Sequence, residues 1–146
     1  MKPRTYELTL NRTIPASPEE VFDAWLDPTL PCNPWHGSAK LEWAPKEGNL
    51  WYFLHILAGD DHRPHFGRFV TLDRGKKIQL DWMSYNTCGF ESVVTVTFKA
   101  QGDDTLLSLK HANIPDNDLG RAHEKGWAQL TAKLEERFTK TAKEKA

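Results

Sequence analysis

Cysteine is scarce: Cys32 and Cys88 are the only two in 146 residues. They are too few for a disulfide framework and too far apart for paired metal-ligand spacing, so both are expected as reduced thiols. Long apolar runs are missing too. The longest, Leu50 to Gly59, is half of the ~20 residues a bilayer-spanning helix needs, which excludes a helical membrane span. No excess of charge of either sign exists, because 19 basic residues oppose 20 acidic ones at net −1. The basic footprint that nonspecific nucleic-acid binding depends on is therefore absent. Met1 to Tyr6 starts positive without an apolar stretch behind it, so no secretion signal is read there and the cytoplasm is the expected compartment. Repeats and low-complexity tracts are lacking, apart from a charged end, Lys140 to Ala146, expected to fray.

What is present is a chain built to fold. Hydrophobic residues make up 39%, aromatics 11% and charged residues 27%, too apolar for intrinsic disorder. The length suits one domain over residues 1–146 with one sizeable core. Six tryptophans are many for this length, and rings of that size need a thick core, a pocket or an interface.

Tyr6, Leu8 and Leu10 alternate with polar residues, predicting a first strand. Ser17-Pro18-Glu19-Glu20 places a capping serine before a proline at the first helical position and a glutamate three residues on, so a short helix begins there. It stops near Asp27-Pro28, since a proline disfavours the α region before it. Pro28, Pro31 and Pro34 then space out a lid-like connector holding Leu30, Cys32 and Trp35. Six further strands are predicted at about 39–44, 50–57, 66–72, 77–85, 91–100 and 105–114. Turn sequences at 45–48, 59–61, 73–76 and 101–104 separate most of them. After Pro115 the period changes: Leu119, His123, Trp127, Leu130, Leu134 and Phe138 recur every three or four residues, predicting a long amphipathic helix. The order is β-α-β6-α, an α+β fold in which a curved antiparallel sheet wraps around the C-terminal helix to bury its stripe.

Four stretches resemble a known family: Ala16-Ser17-Pro18-Glu19-Glu20-Val21-Phe22-Asp23-Ala24-Trp25, Glu47-Gly48-Asn49-Leu50-Trp51-Tyr52-Phe53, Thr105-Leu106-Leu107-Ser108-Leu109-Lys110-His111, and His123-Glu124-Lys125-Gly126-Trp127-Ala128-Gln129-Leu130. In this order they are similar to the family named for the C-terminal domain of the Hsp90 ATPase activator, within the helix-grip (START-like, Bet v 1-like) superfamily. The resemblance covers Thr5 to Phe138. Two departures stand out: Gly48-Asn49 where the family often has Gly-Gly, and Asp81 where it has threonine before the tryptophan, here Trp82. The resemblance implies a cavity between sheet and long helix for apolar small molecules, and in some relatives cyclisation or dehydration chemistry. It does not imply one activity.

Alternation groups Trp51, Phe53 and His55 on one strand face, Ile78, Leu80 and Trp82 on another, and Leu107, Leu109 and His111 on a third. The long helix adds His123, Trp127 and Leu130, with Gly126 beside Trp127 expected to permit close approach. Trp51, Phe53, His55, Leu80, Trp82, Leu109, His111, His123, Trp127 and Leu130 are therefore the candidate ligand-binding residues, an aromatic concavity with a few imidazoles. The same rings could instead simply fill the core. The leading expectation is a binding protein for an apolar or aromatic small molecule. The alternative is an enzyme using His111 with His123 or Asp81 as a polar pair. A metal reading of His62 and His65 with Asp60 and Asp61 finds no further ligand at recognisable spacing, so no metal or cofactor is expected. Neither cysteine has a base placed beside it by the sequence, as an activated thiol would require. Hsp90 is not expected as a partner, since only the family name supports it, and a homodimer is left open.

Overall fold

A computed structural model describes residues 4–30, 33 and 35–145, the side chains of 141–145 excepted. The predicted segments around Pro31, Cys32 and Pro34 lie outside the described residues. Seven strands and two helices follow the predicted order: β1 (Thr5–Ile14), α1 (Pro18–Leu26), β2 (Lys40–Glu42), β3 (Leu50–Leu57), β4 (Asp61–Asp73), β5 (Lys77–Ser84), β6 (Ser92–Gln101), β7 (Asp104–Pro115) and α2 (Asp118–Lys145), with a 3-10 turn at Tyr85–Thr87. All neighbouring strands are antiparallel, in the order β1-β7-β6-β5-β4-β3-β2. The sheet is curved and not closed. Because β1 and β2 are its two edges, α1 and the connector must cross from one edge to the other, and they carry Trp25 and Trp35 into the core on the way.

Local chemistry accounts for the elements. The Ser17 side chain accepts from the Glu20 backbone N–H, and Pro18 occupies the first turn, where its missing donor costs nothing. The inner face of β5 is a strict alternation of buried Ile78, Leu80, Trp82 and Ser84. Two links tie α2 to the edge strand β1. The Tyr6 hydroxyl donates to the Gly120 carbonyl at 3.1 Å, and Arg12 donates to Thr131 Oγ1 at 3.2 Å and Glu135 at 3.3 Å. On α1, Phe22 meets Phe98 of β6 edge-on at 5.5 Å, burying its apolar face on the same sheet.

The structure departs from the sequence reading in four places. The strand expected at 39–44 is reduced to Lys40–Glu42. The stretch 61–65, expected within a loop, is the first part of β4, and the turn shrinks to Ala58–Asp60. Leu119 is exposed, and Gly120 beside it is the buried residue, because α2 begins pressed onto Pro115. A Cβ on Gly120 would lie 1.9 Å from the Pro115 carbonyl oxygen. Gly126, expected to admit a close neighbour, has nothing within 4 Å of where its Cβ would be.

Candidate functional site

All six tryptophans join one closed circuit of ring contacts. Going round it, the centroid separations are 4.9 Å for Trp25 to Trp35, 4.1 Å for Trp35 to Trp43, 5.9 Å for Trp43 to Trp51 and 5.0 Å for Trp51 to Trp82. The circuit closes at 5.2 Å for Trp82 to Trp127 and 6.3 Å for Trp127 back to Trp25. Phe53 packs against Trp35, Trp51 and Trp82. The indoles therefore mostly pack on one another. Open room begins at one margin of the circuit, where β3, the start of β4 and the end of β5 face α2. A cleft of about 390 Å³ lies there.

Its walls combine rings with polar groups. Phe53 and His55 come from β3, Arg63 and His65 from β4, Trp82 from β5, and His123, Gly126, Trp127 and Leu130 from α2. His65 is opposite Phe53 in the β3–β4 register and stacks flat on it, with centroids 4.3 Å apart and planes 9° from parallel. Arg63 is immobilised at the mouth. It forks onto Asp61 at 2.9–3.1 Å, donates to Asn86 Oδ1 at 3.1 Å and lies 4.0 Å over the Tyr85 ring. Asn86 in turn donates to the Leu119 carbonyl at 3.2 Å, joining this corner to α2.

Behind the cleft runs a polar relay. Trp127 Nε1–H donates to His111 Nδ1 at 3.0 Å, and His111 Nε2 is 2.7 Å from Ser92 Oγ, which itself donates to the Trp82 carbonyl at 2.6 Å. Since the indole can only donate and the carbonyl only accept, His111 is fixed as the neutral tautomer with its proton on Nε2. Burial and the nearby His123 hold its pKa well below the ordinary imidazole value. His65 is pushed down to about 3, chiefly by burial and secondly by His55. His123 is lowered by burial, against a hydrogen bond to the Gly120 carbonyl that raises it. A general base works best with a pKa near the ambient pH, so at neutral pH His65 is a hydrogen-bonding group and a poor base.

Two comparisons with known proteins bear on this arrangement. The family model described as Activator of Hsp90 ATPase homolog 1-like protein matches residues 15–139. The chain belongs to that family. No curated protein matches it. Among solved structures, protein CV1439 from Chromobacterium violaceum is similar with a TM-score of 0.78 at 22% identity, over 90% of this chain and 96% of that one. The AHSA1 (SPO3351) protein from Silicibacter pomeroyi has a TM-score of 0.73 at 19% identity, over 92% of this chain and 98% of that one. DynU16, a putative protein in the dynemicin biosynthetic locus, has a TM-score of 0.72 at 18% identity, over 93% of this chain and 48% of that one. At such identities the likeness establishes the fold, the helix-grip architecture.

In this member of the Hsp90-activator-like family, the ten candidate residues divide by depth. Phe53, His55, Trp82, His123, Trp127 and Leu130 line the cleft. Trp51, Leu80, Leu109 and His111 are buried and absent from its walls, each lying farther along its strand from the open end or behind another ring. Asp81 does not meet His111: it faces the outer side of the sheet, where it borders a separate depression with Phe66 and Met83. His62 and His65 fall on opposite faces of β4, and His62 pairs instead with Asp60 at 2.9 Å. Among the described residues no group of three or more His, Cys, Asp or Glu is placed to hold a metal ion, and no helix is long and apolar enough to cross a membrane. Arg63 and Asn86 escaped sequence reasoning, and His65 was weighed there only as a metal ligand. A tight turn at Gly59-Asp60 would have revealed His65, because it sets Phe53 opposite His65 and puts His65, Gly67 and Phe69 on the inner face.

Proposed function

We propose that this protein holds a flat, largely apolar small molecule in the cleft between β3–β5 and α2. Gly126 carries the reading. A glycine inside a helix costs ~1 kcal/mol relative to alanine, and such a residue normally answers a steric demand of the protein itself, as Gly120 does. At Gly126, an exposed position that borders the cleft, no described residue beyond its own stretch of helix comes within 4 Å of the absent Cβ. Because Gly126 is exposed, its missing side chain leaves the rim of the cleft open to a guest from solvent. Its surroundings suit an aromatic guest, with Phe53, Trp82 and Trp127 offering ring surface and a few polar groups at the margin. Holding a ligand is favoured over acid–base turnover by the low basicity of His65 and by the engagement of both His111 nitrogens inside the protein.

Titration with bicyclic aromatics such as naphthalene derivatives should quench tryptophan emission saturably, since two cleft walls belong to the indole circuit. Gly126→Leu, which projects a side chain into the open room, should abolish that quenching while leaving the fold intact by circular dichroism. Unchanged quenching in Gly126→Leu, or none in the parent protein, would refute the reading.

A further inference from the structure

Two imidazoles specify the chemistry the ligand must bring. Nδ1 of His65 is 3.0 Å from the Arg63 carbonyl, and Nδ1 of His123 is 2.8 Å from the Gly120 carbonyl. A carbonyl only accepts, so each ring carries its proton on Nδ1, and each Nε2 is left with a lone pair. Among the described residues neither Nε2 has a hydrogen-bond partner, and both rings line the cleft, one from β4 and one from α2. A third wall residue, Trp82, is 3% exposed and has its Nε1–H without a partner among the described residues. Apart from the exposed Gln129 and Lys133, the unspent polar groups lining the cleft are thus two acceptors, with the enclosed Trp82 donor beside them.

That inventory discriminates between ligand classes. A hydrocarbon would leave both imidazole acceptors unpaired. A carboxylate has no proton to give and would bring its lone pairs against those of the imidazoles, while Arg63, a cation of the wall, already has a carboxylate in Asp61. Lys133 at the margin is the group that would favour an anion. A hydroxyl on an aromatic ring both donates and accepts, and its ring supplies the apolar face that Phe53 and Trp127 can cover. Resting on the ligand-holding reading above, we propose that the cleft selects hydroxylated aromatic molecules, binding the neutral O–H through Nε2 of His65 or His123. A site built to pair with a hydroxyl discriminates strongly against analogues that lack it, because its own buried groups are then left unsatisfied.

Isothermal titration calorimetry near neutral pH with 2-naphthol, 2-methoxynaphthalene and 2-naphthoate tests this. These probes share a ring system and differ in having a donor, no donor, or a negative charge. 2-Naphthol should bind about tenfold or more tightly than either of the others. His65→Phe, which keeps a flat ring against Phe53, or His123→Phe on the opposite wall should erode that preference by weakening 2-naphthol alone. Equal affinities for the naphthol and its methyl ether, or tightest binding of the naphthoate, would overturn the hydroxyl proposal and leave the ligand-holding reading standing. Failure of all three to bind would overturn both.

Discussion

His111 shows how one buried side chain can be polar and still belong to the core. Its ring is inaccessible to solvent, accepts from an indole on α2 and donates to a serine on β6, so it joins the helix to the sheet through fully paired atoms. His111→Ala would strand the Trp127 N–H and leave a void. A loss of about 2–4 kcal/mol is expected from unsatisfied groups and lost packing together, measured by urea denaturation. A loss under about 1 kcal/mol would deny the relay a structural role. At Gly126 the sign reverses: Gly126→Ala should raise stability by about 1 kcal/mol, because the helix gains and nothing is struck. Strand parity in the sequence pointed His111 inward, yet parity carries no depth, and only the packing of β7 against both β6 and α2 shows that both its nitrogens are occupied. For Gly126 the helix position was legible, but whether a helical glycine faces a neighbour or empty room is a tertiary fact.

At the level of elements, β4 is the strand that builds the cleft and the one whose beginning was least legible. Asp60, Asp61, His62, Arg63 and Pro64 have the composition of a loop, and Pro64 argues locally against a strand. Pairing with β3 overrides that tendency, setting Pro64 opposite Leu54 and His65 opposite Phe53. Farther along, Gly67 lets β4 and β5 approach. A Cβ there would lie 1.8 Å from the Asp81 carbonyl oxygen and 2.9 Å from the Trp51 ring. Gly67→Ala must push the strands apart, and a destabilisation of at least about 1–3 kcal/mol is expected in thermal or urea unfolding. An unchanged midpoint would show that β4 and β5 can separate freely. The well-patterned elements, α1, β5, β6, β7 and α2, were readable because each buries one face at its own period. Even so, the start of α2 shifts its buried residue from Leu119 to Gly120, since contact with Pro115 outweighs the apolar stripe.

Across the whole molecule, the six tryptophans turn out to be one assembly contributed by α1, the connector, the residue following β2, β3, β5 and α2. Their abundance was visible in composition and their circuit was not, because it links residues from 25 to 127. The burial of imidazoles beside that assembly gives the protein a pH dependence with a definite sign. His65, His111 and His123 have folded-state pKa values below the ordinary 6.5. The unfolded chain therefore binds more protons, and stability falls as pH drops below about 6.5 and on toward 3. Each such group adds up to about 1.4 kcal/mol per pH unit to the slope. Urea midpoints that stay flat between neutrality and about pH 4 would contradict this burial. Whether the margin of the indole circuit beside Gly126 receives an aromatic guest is read from the indole N–H resonances in a 15N-correlated NMR titration with 2-naphthol. Trp82 and Trp127, which line the cleft, should shift progressively to saturation while Trp25 and Trp35 stay in place. Absence of any shift, or movement at Trp25 and Trp35 with Trp82 and Trp127 unmoved, would show that no aromatic guest enters there.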